Sequence, residues 1–108
     1  MAMLSNYSEQ APSRAEVDAY QGATVIEFGT DWCGHCQAAQ PHLAKAFSEH
    51  LHLQHLKIED GPGRPLGRSF RVKLWPTLIF LRDGEEIERL VRPQDAESIR
   101  QAMNNIVR

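Results

Sequence analysis

Cys33 and Cys36 are the only cysteines in this 108-residue sequence, and they stand in the segment Trp32-Cys33-Gly34-His35-Cys36. Two intervening residues on a helix let one turn bring two sulfurs together, so the pair can close to a disulfide and reopen. The partial positive charge and free N–H groups of a helix N-terminus favour a thiolate over a thiol. A thiolate at Cys33 attacks a substrate disulfide, and Cys36 then resolves the mixed disulfide. Gly34 leaves the approach open, and Trp32 shields one side of the sulfur. Three plainer readings compete. A structural disulfide over so short a loop gains only about 2 kcal/mol of chain entropy. A zinc site needs four ligands, commonly as separated pairs. There is no second Cys pair, and His35, His42, His50, His52 and His55 fit no ligand spacing. Two inert buried cysteines are the third.

The position of the motif depends on the elements around it. Residues 23–28 are rich in β-branched side chains and read as a buried strand, and residues 29–32 form a turn. Residues 33–49 favour helix, with a kink expected at Pro41. Upstream, Ser13 and Glu16 have the spacing of a capping box for a short helix reaching about residue 21, where Gly22 ends it. Downstream, residues 51–58 read as a second strand, 61–65 as a loop and 66–70 as a short helix. Residues 77–81 form a strand, Asp83-Gly84 a hairpin turn and residues 86–90 the partner strand. Pro93, Asp95 and Glu97 open a last helix, in which Ile99, Ala102, Met103 and Ile106 share one face. The order βαβαββα predicts a mixed sheet covered by helices, an α/β domain.

Composition narrows the class. Apolar residues are 42% and charged residues 24%, proportions that exclude wholesale disorder. The net charge of -2 argues against a nucleic-acid binder. Residues 1–50 carry a net -4 and residues 51–108 a net +2. No apolar run reaches the ~18 residues of a membrane span, so no membrane is expected. The first residues lack a basic region and apolar core, so they do not read as a secretory signal, and the expected compartment is cytoplasmic. Residues 1–12 are polar and aperiodic and read as a flexible N-terminal segment before a single domain over 13–108. Arg64, Arg68, Arg71 and Lys73 form a basic stretch, read first as a solvated helix face and second as a guide for acidic partners. His50, His52 and His55 read as surface and strand-edge histidines rather than a metal site.

Strand, Trp-Cys-Gly-x-Cys, Pro-bearing helix, Trp75-Pro76-Thr77 before an apolar strand, then Asp83-Gly84: over residues 25–107 the chain resembles the thioredoxin family. The Gly34-His35 pair resembles protein disulfide isomerases more than the Gly-Pro of reducing thioredoxins. The resemblance implies a thioredoxin-like fold, a central mixed sheet flanked by helices, and a protein disulfide oxidoreductase. Cys33 is then the attacking thiolate, Cys36 the buried resolving thiol, and Pro76 a cis-proline facing them. That proline turns the N–H and C=O of Trp75 toward a substrate strand. Glu27 resembles the family's buried carboxylate. Burial is expected to raise its pKa, so that it accepts the Cys36 proton; its basic neighbour is His55 or Lys57. His35 tunes the redox poise. Four positions depart from the family pattern: Gly29 where Trp is common, Gln37 where a basic residue is usual, Leu74-Trp75 in the docking loop, and Arg92-Pro93 where a Gly often lines the groove. The implied partners are disulfide-containing proteins and an external thiol or reductase, with no cofactor or metal, and the chain is expected to be a monomer. The competing reading is a redox-switched binding module that uses the same groove without turnover.

Overall fold

The computed structural model describes residues 4–107. Alternation along β1 (Ala23–Gly29) sets the layering, because successive side chains leave a strand on opposite faces. Val25 joins one apolar cluster, while Ile26 and Phe28 join another. β1 is central. It pairs in parallel with β2 (Gln54–Glu59) and antiparallel with β3 (Thr77–Arg82), which pairs antiparallel with β4 (Glu85–Val91). The resulting order is β2-β1-β3-β4, the expected mixed sheet.

α2 (Gly34–Phe47) and α4 (Ala96–Asn104) cover the Val25 face with Leu43, Phe47, Ile99 and Met103. α1 (Arg14–Asp18) and α3 (Pro65–Ser69) cover the other with Val17 and Leu66, joined by Phe70. The capping box forms: Ser13 Oγ accepts the Glu16 N–H at 3.1 Å, and the Ser13 N–H donates to Glu16 Oε1 at 2.9 Å. α1 ends earlier than expected, at Asp18. α2 runs through Pro41, which has no N–H to give the carbonyl one turn back. β2 starts later than expected, because Leu53 closes a turn onto His50 before the strand begins.

The N-terminal segment differs from the expected flexible tail. The Ser8 N–H donates to the Lys57 carbonyl and its own carbonyl accepts from Glu59, both at 2.8 Å, as a parallel bridge on the outer edge of β2. Tyr7 is buried. An open sheet edge offers unpaired N–H and C=O groups, and this short polar stretch takes some of them. Residues 1–3 of the expected tail, and Arg108, lie outside the described residues.

Candidate active site

Residues 30–32 turn the chain from β1 into α2, and Cys33 is the N-cap of that helix, with extended backbone (φ -80°, ψ 121°). Its sulfur accepts the backbone N–H of Cys36 at 3.2 Å, using one of the donors a helix start leaves free. Both cysteines are free thiols. Cys33 retains 8% exposure and Cys36 only 1%, so the first sulfur is the more accessible. Burial, then the neighbouring Cys33 sulfur, pushes the Cys36 thiol up to about 12; hydrogen bonding to the Thr30 backbone and to Tyr7 works the other way. Cys36 is therefore held protonated until something removes its proton.

Glu27 lies fully buried on the Val25 face of β1, the side covered by α2. Its Oε2 accepts the Tyr7 hydroxyl and, at 2.9 Å, Gln40 Nε2. Its Oε1 faces His55 Nε2 at 3.1 Å. The Leu4 N–H donates to His55 Nδ1 at 3.0 Å, so Nε2 carries the ring proton and donates to the carboxylate. Lys57, paired in register with Glu27, reaches Gln40 Oε1 at 2.8 Å and the Ser5 carbonyl at 3.0 Å. The choice between His55 and Lys57 as neighbour resolves to both: His55 touches Glu27, and Lys57 acts through Gln40 and by charge. The expected rise in the Glu27 pKa does not hold. Burial pushes it up, but the His55 hydrogen bond, the Lys57 charge, and Tyr7 and Gln40 together hold it below its ordinary value. His55 is also no surface histidine. It is buried and stacks on Phe47 with ring centroids 4.6 Å apart.

The rim of the site comes from the loop before β3. The Trp75-Pro76 peptide is cis, and Pro76 is buried. Trp75, rather than Trp32, packs against the cluster of Tyr7, Cys33 and Cys36. Trp32 is 75% exposed and meets Trp75 edge-on, with centroids 5.8 Å apart. Trp75 Nε1 donates to Asp60 Oδ2 at 2.8 Å, and its carbonyl accepts Arg92 Nε at 2.8 Å, so that carbonyl is not left entirely for a substrate strand. Arg92 has a left-handed backbone (φ 52°), a conformation that favours glycine, in keeping with the glycine that the family resemblance leads us to expect there. Gly34 and His35 lie exposed on the first turn of α2. A shallow cleft beside Trp75 is lined by Arg64, Arg68, Arg71 and Lys73.

Tyr7 and Gln40 are the site residues that sequence reasoning missed. Tyr7 sits in a polar, aperiodic stretch, far in sequence from everything it touches. The available signal was Gly29: a Cβ there would lie 2.5 Å from Cys36 Sγ and 2.8 Å from Tyr7 Oη. The space a side chain at position 29 would need is taken by the Tyr7 ring from the N-terminal segment and by the Cys36 sulfur.

A dithiol at a helix start, packed by the Trp75 of a cis Trp75-Pro76 peptide and set beside a buried carboxylate at the centre of a mixed sheet, defines a thioredoxin-like dithiol–disulfide protein. The family model for thioredoxin matches residues 6–105, and the chain belongs to the thioredoxin family. It is similar to the solved reduced form of thioredoxin 2 from Pseudomonas aeruginosa PAO1, with 59% identity, a TM-score of 0.86 and 96% of each chain covered. It is 37% identical over 79 residues to a thioredoxin of Chlamydia trachomatis serovar D, covering 72% of this chain and 76% of that protein. It is 40% identical over 83 residues to protein disulfide-isomerase A2 of Pongo abelii, covering 71% of this chain but spanning only 16% of that relative's length.

Proposed function

We propose that the protein is a thiol–disulfide oxidoreductase that reduces protein disulfides through a Cys33/Cys36 cycle. The observation that supports it most is the unlike setting of the two sulfurs: Cys33 caps α2 and keeps 8% exposure, while Cys36, one turn into the helix, keeps 1%. The Cys33 thiolate attacks one sulfur of a substrate disulfide, and the other substrate sulfur leaves as a thiolate. Cys36 then loses its proton and attacks the Cys33 sulfur, releasing the second substrate thiolate. The substrate gains two electrons, and the protein ends as the Cys33–Cys36 disulfide. An external thiol or a reductase restores the dithiol.

Glu27 is the base for the second step. Held ionised by its donors, it is already in the accepting form. It is a weak base, so it takes the proton only as the new S–S bond lowers the demand on the sulfur. Trp75 and Pro76 line the substrate groove, Trp32 extends its apolar rim, and Gly34 leaves the approach to Cys33 clear. The basic cleft beside Trp75 draws acidic segments of partners toward the sulfurs. The protein works as a monomer in the cytoplasm, where a reducing thiol pool keeps the resting state a dithiol. Among the described residues no helix is long and apolar enough to cross a membrane.

Insulin disulfide reduction by dithiothreitol tests this reading. The wild type is expected to accelerate it, and Cys33→Ser to abolish the acceleration. Undiminished turnover in Cys33→Ser, or none in the wild type, removes the reading.

A further inference from the structure

The sulfur that must lose a proton and the carboxylate that receives it are not in direct contact. The oxygens of Glu27 are occupied by Tyr7, Gln40 and His55. Gln40 reaches Cys36 only at its backbone carbonyl, at 2.8 Å. The Tyr7 hydroxyl is the side-chain group that reaches both: it donates to Glu27 Oε2, and it flanks the Cys36 sulfur across the open face of Gly29, where one Cβ would lie 2.8 Å from Tyr7 Oη and 2.5 Å from Cys36 Sγ. Gly29 makes this possible, since any Cβ there would push the hydroxyl and the sulfur away. The ring is also held firmly. The Tyr7 N–H donates to Asp31 Oδ1 at 3.1 Å, Lys57 Nζ lies 4.7 Å from the ring centroid, and Ser8 is paired to β2.

We propose that Tyr7 is the proton relay of the resolving step, passing the Cys36 proton to Glu27. The proposal rests on the role of Glu27 as base. As Cys36 attacks, its S–H bond breaks and a new O–H bond forms at Tyr7 Oη. The original Tyr7 proton moves to Glu27 Oε2 at the same time. The electron pair left on the Cys36 sulfur forms the bond to Cys33, and the Cys33–substrate bond breaks with its pair on the departing thiolate. Tyr7 begins and ends as a neutral phenol. This fits a hydroxyl whose ionisation is strongly opposed, first by burial and then by the Glu27 charge. The N-terminal segment thereby supplies a working part of the active site.

Reaction of the reduced protein with an aromatic disulfide such as dithiobis(nitrobenzoate) separates the two steps. A first burst of coloured thiolate reports attack by Cys33, and a second reports resolution by Cys36. Tyr7→Phe keeps the ring and removes only the hydroxyl. It is expected to leave the first burst unchanged and to slow the second about tenfold, the effect of one hydrogen bond to a charged group. Glu27→Gln is expected to slow the same phase, and the double variant to be no slower than the slower single one. A merely structural role would slow both bursts together. A second burst at the wild-type rate in Tyr7→Phe, slowing of both bursts, or losses that multiply in the double variant overturns the relay. A slow second burst in Glu27→Gln alone would retain the base and discard the relay. Wild-type rates in both single variants would discard the base as well.

Discussion

Cys36 and Glu27 share one buried environment and respond to it in opposite ways. The thiol has few donors to stabilise its anion, so burial wins and the proton stays. The carboxylate has Tyr7, Gln40 and His55 within hydrogen-bond reach and Lys57 close by, so the donors win. This has a consequence for stability. A carboxyl held below its ordinary value of 4.5 in the folded state stabilises the fold fully above that pH. The contribution fades as the pH falls through the lowered value. Denaturant unfolding across the acid range is therefore expected to show the wild type losing stability below about pH 4.5 more steeply than Glu27→Gln; parallel curves would contradict the assignment. His35 belongs to the same scale. His35 is exposed on the first turn of α2, two residues from Cys33; the proposed role is that a donating imidazole there favours the reduced form. Equilibration with glutathione is expected to give His35→Pro a potential lower by on the order of 30 mV, the equivalent of about 1.4 kcal/mol in a two-electron couple. An equal or higher potential in the variant would contradict it. The helix-start placement of the cysteines and the cis bond at Pro76 were legible in the sequence because both are specified by immediate neighbours. The pKa direction of Glu27 was not, because its donors come from β2, α2 and the N-terminal segment.

At the scale of elements, apolar periodicity and turn residues carried most of the architecture. The strand β1, the helix after the cysteines and the Asp83-Gly84 hairpin were all legible, because each is specified within a dozen residues. Both hairpin residues take left-handed backbone, Asp83 at φ 51° and Gly84 at φ 79°. The turn also touches the far end of α1: a Cβ at Gly84 would lie 2.1 Å from the Asp18 carbonyl oxygen. Gly84→Ala therefore combines backbone strain with a clash. It is expected to cost about 2 kcal/mol and to lower Tm by about 8 °C; thermal unfolding near the wild-type value would contradict this. The N-terminal segment was the element that could not be read. It has no periodicity to report, and its contacts lie along the edge of β2 and inside the site. The burial of His55 was hidden for the same reason. A polar run at the start of a strand looks like an edge until the segment that covers it is placed.

For the whole molecule, charge is divided unevenly, acidic over residues 1–50 and basic over 51–108. The basic half opens beside Trp75. Arg64 is engaged there, with Glu59 at 2.6 Å, while Arg68, Arg71 and Lys73 are exposed along the cleft. Long-range attraction raises encounter rates and is screened by salt. Arg71→Glu is expected to slow reduction of an acidic disulfide peptide more than of a neutral one, with the gap closing at high ionic strength. Equal slowing of both peptides would contradict steering. The central claim is broader: the fold makes two chemically identical side chains unlike, leaving Cys33 the more accessible at the head of α2 and sealing Cys36 beside Tyr7 and Gly29 of β1. Brief iodoacetamide treatment of the reduced protein at neutral pH, followed by peptide mapping, tests that most directly. The account predicts alkylation at Cys33 with Cys36 left free, and equal labelling or faster labelling of Cys36 would contradict it.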